Sequence, residues 1–327
     1  MSSSKTKTNL YLIFSSFILL SLSLLFPHKL LAADLQLGIN PPLLKVTIKP
    51  GKTITQVYKV DNFSVTDQNL VVRLVAFTKA DQFGNPILDP SFEASWLRYF
   101  TLANSDIEFN KPFLLKGGSS QQLILSLAIP EDAPLKDLYL TLLVSTYDPN
   151  TTKNQGTAVK ASIASNLLVT INTVPNPDTL LRVIKLTPES KTYLRLADYY
   201  FMDNITPTIF SVVVQNDGNF AAEAKGVFSI KTSQKTDVTQ QKILLQYVIG
   251  QSQRKLMNDA QTDFKFTPNL NLIGRYTAQV DINNDNANTS SQIKIIFLPL
   301  KALFGLAVGL ILLLSILNST FKRQLPE

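Results

Sequence analysis

Between Leu37 and Phe297 the chain is written in short runs that alternate apolar and polar residues and end at turn formers. A period of two places every second side chain on one face, so such runs fold as half-buried β-strands. Residues 43–48 form one run, closed by Pro50-Gly51, and residues 53–60 form the next, with Ile54, Val57 and Val60 among polar neighbours. Runs at 70–77, 113–115, 122–129, 138–147 and 165–174 follow. After Pro175-Asn176-Pro177-Asp178 the pattern resumes at 180–186, 208–215, 224–230, 242–248, 263–266, 275–282 and 292–297, with a turn at Asp217-Gly218. No stretch among them has a 3.6-residue period. Strands at this spacing, joined by Pro- and Gly-containing turns, predict an all-β fold of two tandem immunoglobulin-like β-sandwiches. The expected units are residues 34–174 and 179–297, with 175–178 a short linker held extended by its two prolines. Joined in this way, they are expected to share a small interface at most and to fold independently. Residues 187–207 fit no strand pattern.

Two continuous apolar segments bracket this β region. Residues 10–26 follow Lys5 and Lys7 and precede Ala32-Ala33. That is the order of a secretory signal peptide, expected to occupy residues 1–33. Left uncut, it would serve as a second anchor and the middle would still be exported. The second segment, 302–317, is followed by Lys322 and Arg323. Its roughly 16 residues approach the ~20 that span a bilayer, and reach them if Lys301 extends to the outer headgroups. A transmembrane anchor at 298–321 and a cytoplasmic tail at 322–327 follow. The chain is therefore expected to be a single-pass protein of the cell membrane, held by membrane lipid, with its β region extracellular. Leu298-Pro299-Leu300-Lys301-Ala302 has Lys301 and Ala302 where a wall-sorting pentapeptide needs Thr and Gly, so the anchor should be retained.

The chain contains no cysteine and one histidine, His28, which precedes the expected cut. A mature chain without His or Cys lacks Ser-His-Asp and Cys-His catalysis, thiolate chemistry and imidazole metal sites. The expectation is a non-enzyme without cofactor or metal, although hydrolysis of wall polymer by two carboxylates alone remains open. Asp281 to Asn286 begins like a calcium loop. Asn286 and Gln292 stand where that loop needs Gly and a bidentate Glu, so a polar hairpin turn is the better reading. An exported chain without disulfides points to a bacterial source and a core that holds by burial alone. Removing Lys5, Lys7 and Lys29, with no acid, lowers the net charge from +7 to +4. No basic block stands out, so no nucleic acid is expected as a partner.

Trp96-Leu97-Arg98-Tyr99-Phe100 carries the only tryptophan, shortly after the polar loop from Asp81 to Pro86. Aromatic faces beside polar groups can stack on sugar rings, which makes Trp96, Arg98, Tyr99, Asp81 and Asn85 candidate contacts for a wall polymer. The competing reading puts Trp96 and Phe100 into the sandwich core. Gly305 and Gly309 form a GxxxG pair in the apolar segment, a spacing that lets two helices approach closely. The halves also echo each other. Asn62 and Asn216 each end an early strand, and Tyr139 and Tyr276 each open a late one, as the tyrosine of an immunoglobulin-type corner does.

Further features recur in order: Pro41-Pro42, Lys49-Pro50-Gly51-Lys52, Asp81-x-x-Gly84-Asn85-Pro86, Ser95-Trp96 and Ile129-Pro130-Glu131-Asp132-Ala133-Pro134 before Tyr139. In the second half come Asn216-x-Gly218-Asn219, Gly226, Gly274-x-Tyr276 and the closing anchor. With this plan the exported part resembles the WxL-interacting proteins, surface proteins of Gram-positive bacteria. The resemblance implies a first sandwich that binds peptidoglycan and a second that binds another exported or host protein. From another class, an ectodomain subunit of a membrane secretion or transport complex would use the sandwiches as spacers and the span as its interface.

Overall fold

The computed structural model describes residues 36–147, 161–189, 193–284 and 288–323, with side chains only to residue 317 in the last segment. The expected signal peptide, 1–33, lies outside the described residues, as do the last four residues of the expected tail.

The first half folds into two facing sheets. β1 (Leu37–Asn40), β3 (Thr53–Asn62), β7 (Ser120–Ala128) and β5 (Phe100–Leu102) form one, antiparallel in the order β1-β3-β7-β5. β2 (Leu43–Ile48), β9 (Ser162–Ile171), β8 (Lys136–Thr146), β4 (Gln68–Ala76) and β6 (Pro112–Leu115) form the other, in the order β2-β9-β8-β4-β6. The chain changes sheets at Pro41-Pro42. Proline has no N–H to give to a ladder, so β1 stops there and β2 starts in the opposite sheet, parallel to β9. Alternate residues of the strands meet between the sheets: Tyr58, Val60, Leu123 and Leu125 of the first sheet and Leu138, Leu140 and Leu142 of the second share one apolar core.

The second half repeats the plan. β10 (Leu181–Pro188), β13 (Thr208–Asn216) and β16 (Ser252–Lys255) form one sheet, with β17 (Phe264–Phe266) also on β13. The other sheet runs β11-β12-β19-β18-β14-β15, from β11 (Tyr193–Leu196), β12 (Tyr199–Asp203), β14 (Ala222–Thr232), β15 (Asp237–Val248), β18 (Gly274–Asn283) and β19 (Asn288–Leu298). Here too the first strand, β10, lies antiparallel to β13, and the chain then crosses to pair β12 in parallel with β19. The residues without a legible pattern, 187–207, hold this crossing and the β11–β12 hairpin. The core is aromatic, with Phe210, Phe228 and Phe264 packed in series as tilted rings, 5.2 and 5.1 Å between centroids.

Asn62 and Asn216 perform the same task in each unit. Both are buried, Asn62 at the end of β3 and Asn216 at the end of β13. The Asn62 Nδ2 donates to the carbonyls of Thr66, Leu115 and Lys116, and its Oδ1 accepts from the Ser64 N–H. The Asn216 Nδ2 donates to Phe220, Val248 and Ile249, and its Oδ1 accepts from the Gly218 N–H. Each amide thus ties a turn to a neighbouring loop.

Beyond the linker, the units meet across a small apolar interface. A third apolar cluster of Phe77, Leu168 and Ile249 lies between them, with Ala80, Tyr139 and Tyr247 against it. Burying each large side chain is worth about 1.5–3 kcal/mol before entropy is counted. The outer face of β9 is buried at Leu168 and Thr170 for this reason, which breaks the strict alternation of that strand.

One residue, Pro299, separates β19 from α1 (Leu300–Arg323). The window Leu300–Leu317 has a mean hydropathy of 2.5 and no burial, so α1 is long and apolar enough to cross a membrane.

Candidate functional site

The five residues singled out as wall contacts fall on two different surfaces. Residues 89–100 leave β4 and return through a short 3₁₀ turn, Ser95–Tyr99. An Asp89 carboxylate that accepts from the Ser91 N–H and hydroxyl tightens the start of this segment. Trp96 and Tyr99 turn inward and pack on the first core, and Trp96 meets Phe100 edge-on at 6.2 Å. Arg98 turns outward over the Tyr99 ring, at 5.8 Å from its centroid. It borders a groove of about 650 Å³ between the segment and the outer face of β4. Pro90, Phe92 and Leu97 give that groove apolar walls, and Arg73, Arg98 and Glu93 give it charges. Arg73 precedes the segment by a full strand and gave no signal of its own in the sequence; only the pleat of β4 brings it beside Arg98. The groove can hold an extended chain of sugar or peptide size, with two guanidiniums to meet carboxylate or phosphate.

Asp81 and Asn85 sit elsewhere, at the tip of a loop turned toward the second sandwich. The Asp81 carboxylate accepts from the Phe83 and Asn85 N–H groups at 2.8 and 2.9 Å and from the Asn85 side chain at 2.9 Å. Burial alone would raise its pKa, but these hydrogen bonds, Asn85 foremost, outweigh it and hold the carboxyl below the usual range. The residues wind the loop so that Gly84, at φ +83°, presents its bare Cα to the Arg254 guanidinium. A Cβ at Gly84 would lie 2.3 Å from that group. Arg254 is largely desolvated, which lowers its pKa against the pull of Asp81, and its Nη1 donates to the Tyr247 carbonyl at 2.7 Å. The Lys255 N–H donates to the Gln82 carbonyl at 2.6 Å. A cleft of about 170 Å³ remains here, lined by Leu43, Asn85, Asn166, Tyr247 and Arg254 among others.

Beside it lies a polar knot that the sequence concealed. The Asp137 Oδ2 accepts from the Tyr139 hydroxyl at 2.6 Å and, across the interface, from the Ala221 N–H at 2.5 Å. Its Oδ1 accepts from the Thr170 hydroxyl at 2.7 Å. The Gly250 N–H of the second unit donates to the Tyr139 hydroxyl at 3.0 Å. Burial raises the Asp137 pKa, with these hydrogen bonds and Lys45 acting against it. Burial, then the Asp137 charge, also pushes the Tyr139 phenol up. Lys45 reaches Glu223 at 3.1 Å and lies over the Tyr247 ring. Tyr139 is therefore no corner tyrosine but a bridge between sandwiches, stacked on Phe77. Tyr276 packs edge-on against Phe297.

Two features of the second unit remain exposed. β11 is an edge strand; among the described residues no strand pairs with its outer side, and Leu194 and Leu196 stand open. On α1, nothing lies within 4 Å of a Cβ built on Gly305 or Gly309. Asp281 is part of β18, where its carboxylate accepts from Gln279 rather than opening a calcium loop.

No protein-family model and no curated protein matches the sequence. Among solved structures the chain is similar to the E. coli chaperone DraB, at 12% identity and a TM-score of 0.33, over 80% of this chain and 97% of that one. It is similar also to the CsuC-CsuE chaperone–tip adhesion subunit pre-assembly complex of Acinetobacter baumannii, at 11% identity and a TM-score of 0.36, over 80% and 99%. The YadV chaperone gives 9% identity and a TM-score of 0.36, over 79% and 98%. At such identities and scores the likeness does not extend to function.

Proposed function

We propose that this chain is a non-catalytic, membrane-anchored cell-surface protein of the WxL-interacting kind, whose first sandwich takes a cell-wall polymer. The groove beside the 3₁₀ turn carries this reading: apolar walls from Phe92 and Leu97, and Arg73 and Arg98 at its border. Peptidoglycan stems and wall polymers are extended and anionic, and they match that combination. Residues 34–297 should sediment with isolated wall sacculi, and Arg73→Glu with Arg98→Glu should leave the protein in the supernatant. Wild-type protein that stays in solution refutes wall binding. Labelled wall fragments released by the wild type would refute the non-catalytic reading.

The second sandwich is proposed to take another exported protein along β11. An open edge offers a row of backbone donors and acceptors for an added strand, and Leu194 and Leu196 would fix its register. Replacing Leu196 by Pro should abolish partner capture without unfolding the core, because the whole strand is exposed. A subunit role in a membrane complex is the second reading, favoured by the open helix surface at Gly305 and Gly309. Changing both to Ile should shrink the oligomer in mild detergent; an unchanged size refutes it.

A further inference from the structure

The join between the second sandwich and α1 is rigid. The Asn204 N–H donates to the Leu298 carbonyl at 3.0 Å, and the Leu303 N–H to the Pro299 carbonyl at 2.9 Å. Asp203, buried at the end of β12, accepts from the Lys301 N–H at 3.3 Å and from the Thr206 hydroxyl at 2.5 Å. The carboxylate thereby caps the first turn of α1, where the exposed N–H groups favour negative charge.

Two loops surround this join. One follows β12 and contains Ile205; the other, 267–273, precedes β18 and contains Leu270, Leu272 and Ile273. They are tied together by the Asn204 Nδ2, which donates to the Leu270 carbonyl at 3.1 Å. The pairing of Gly274 with Phe297 puts the second loop level with the start of α1. Ile205, Leu270 and Ile273 are 45%, 68% and 57% exposed. The remaining side chains of these loops are Asn, Thr and Pro. Neither loop contains an acid; Asp203, at the end of β12, is buried, and the exposed charges flanking the loops in sequence, Lys265, Arg275 and Lys301, are all cations. Apolar tips and amides, flanked by cations and with no exposed carboxylate in either loop, form the composition of a surface that rests among lipid headgroups.

We propose that the base of the second sandwich is itself a lipid-contacting surface, with Ile205, Leu270 and Ile273 inserted in the interfacial layer around α1. The occupant follows from covalent continuity: a span that begins at Leu300, one proline after the sandwich, leaves these loops no distance from the bilayer. The inference rests on the membrane-anchored reading, and it makes the domain stand on the membrane rather than swing above it. Amphipathic elements of this kind sit about 5–10 Å into the headgroup and acyl boundary.

The chain has no cysteine, so single labels can be placed without background. Full-length Leu270→Cys, Ile205→Cys and, as a distal control, Val65→Cys carry an environment-sensitive fluorophore in vesicles of phosphatidylglycerol and phosphatidylethanolamine. Vesicle flotation is scored in parallel. With the protein floating, emission at 270 and 205 should be blue-shifted and quenched by lipid-borne nitroxide, while emission at 65, where Val65 is 97% exposed, should not change. Floating protein with unquenched labels at both 270 and 205 overturns the inference and leaves the anchor standing. Protein that fails to float overturns the anchor and the inference with it.

Discussion

Removing the Asp137 carboxylate should uncouple the two sandwiches. Asp137→Ala withdraws the acceptor from the Tyr139 hydroxyl, the Thr170 hydroxyl and the Ala221 N–H. The two hydroxyls can rotate, and the Tyr139 oxygen still accepts from Gly250, so each loses about 1 kcal/mol. The Ala221 N–H is fixed and costs about 1–3 kcal/mol when unsatisfied. Relief of a buried charge returns part of this, and the net loss should be about 2–4 kcal/mol. In a domain pair of this size that lowers Tm by roughly 6–12 °C. Tyr139→Phe, which strips the Gly250 N–H of its acceptor, should cost about 1–3 kcal/mol. Because the two residues share one hydrogen bond, the double variant should lose about 1 kcal/mol less than the sum. Calorimetry of residues 34–297 should give one transition for the wild type and two for Asp137→Ala, as each sandwich melts on its own core. A single transition within about 1 °C of wild type in both single variants would refute a coupling role for this knot.

The same carboxyl should mark stability with pH. Its pKa is raised on folding, so the folded state binds its proton more tightly; the benefit is fully present below the ordinary carboxylate range and fades as pH rises through the raised value. The Tm of wild type minus that of Asp137→Asn should therefore fall as pH increases, and a rising difference in a pH series of melts would contradict this. Gly84→Ala would press a methyl group against the Arg254 guanidinium from a left-handed backbone position, and urea denaturation should register a loss of about 1–3 kcal/mol. Asn62→Ala and Asn216→Ala each strip one buried amide of three donated hydrogen bonds and should each cost about 2–4 kcal/mol in the same assay; near-neutral results would show that solvent replaces the amide. Tyr58→Phe should cost no more than about 1 kcal/mol in melts, since its buried hydroxyl has only the Ser165 side chain beside it and makes no well-formed hydrogen bond.

The longer strands were legible where one face meets the core and the other meets water; β5 and β16, of three and four residues, were not. All fourteen runs read from alternation coincide with strands, to within five residues at their ends. β11 escaped because every residue from Tyr193 to Leu196 is exposed, so no alternation was imposed on it, and β12, although Tyr200 and Met202 are buried, is too short at five residues to show a period. The interface escaped for a different reason. Asp137 and Tyr139 meet Ala221 and Gly250 through backbone N–H groups, which leave no trace in side-chain identity. Asp81 and Asn85 were noticed as chemistry, but their hydrogen bonds serve the shape of a loop. Arg98 was legible beside its aromatic neighbours; Arg73, its companion in the groove, was not, since only sheet register brings them together. The shared asparagines were visible as a repeat, although their task depends on loops far away in sequence.

The direct passage from β19 into α1 also fixes how the molecule carries tension. Any load applied to the first sandwich would pass along the linker into the second near Thr179, beside Asn284 and the start of β19, and leave at Leu298. The points lie at opposite ends of a strand of roughly 35 Å. Pulling acts along β19, whose ladders to β18 on one side and β12 on the other run across that direction. Their hydrogen bonds are strained together in shear, not opened one after another like a zip, so the second sandwich resists a pull along this line more than its core stability alone would suggest.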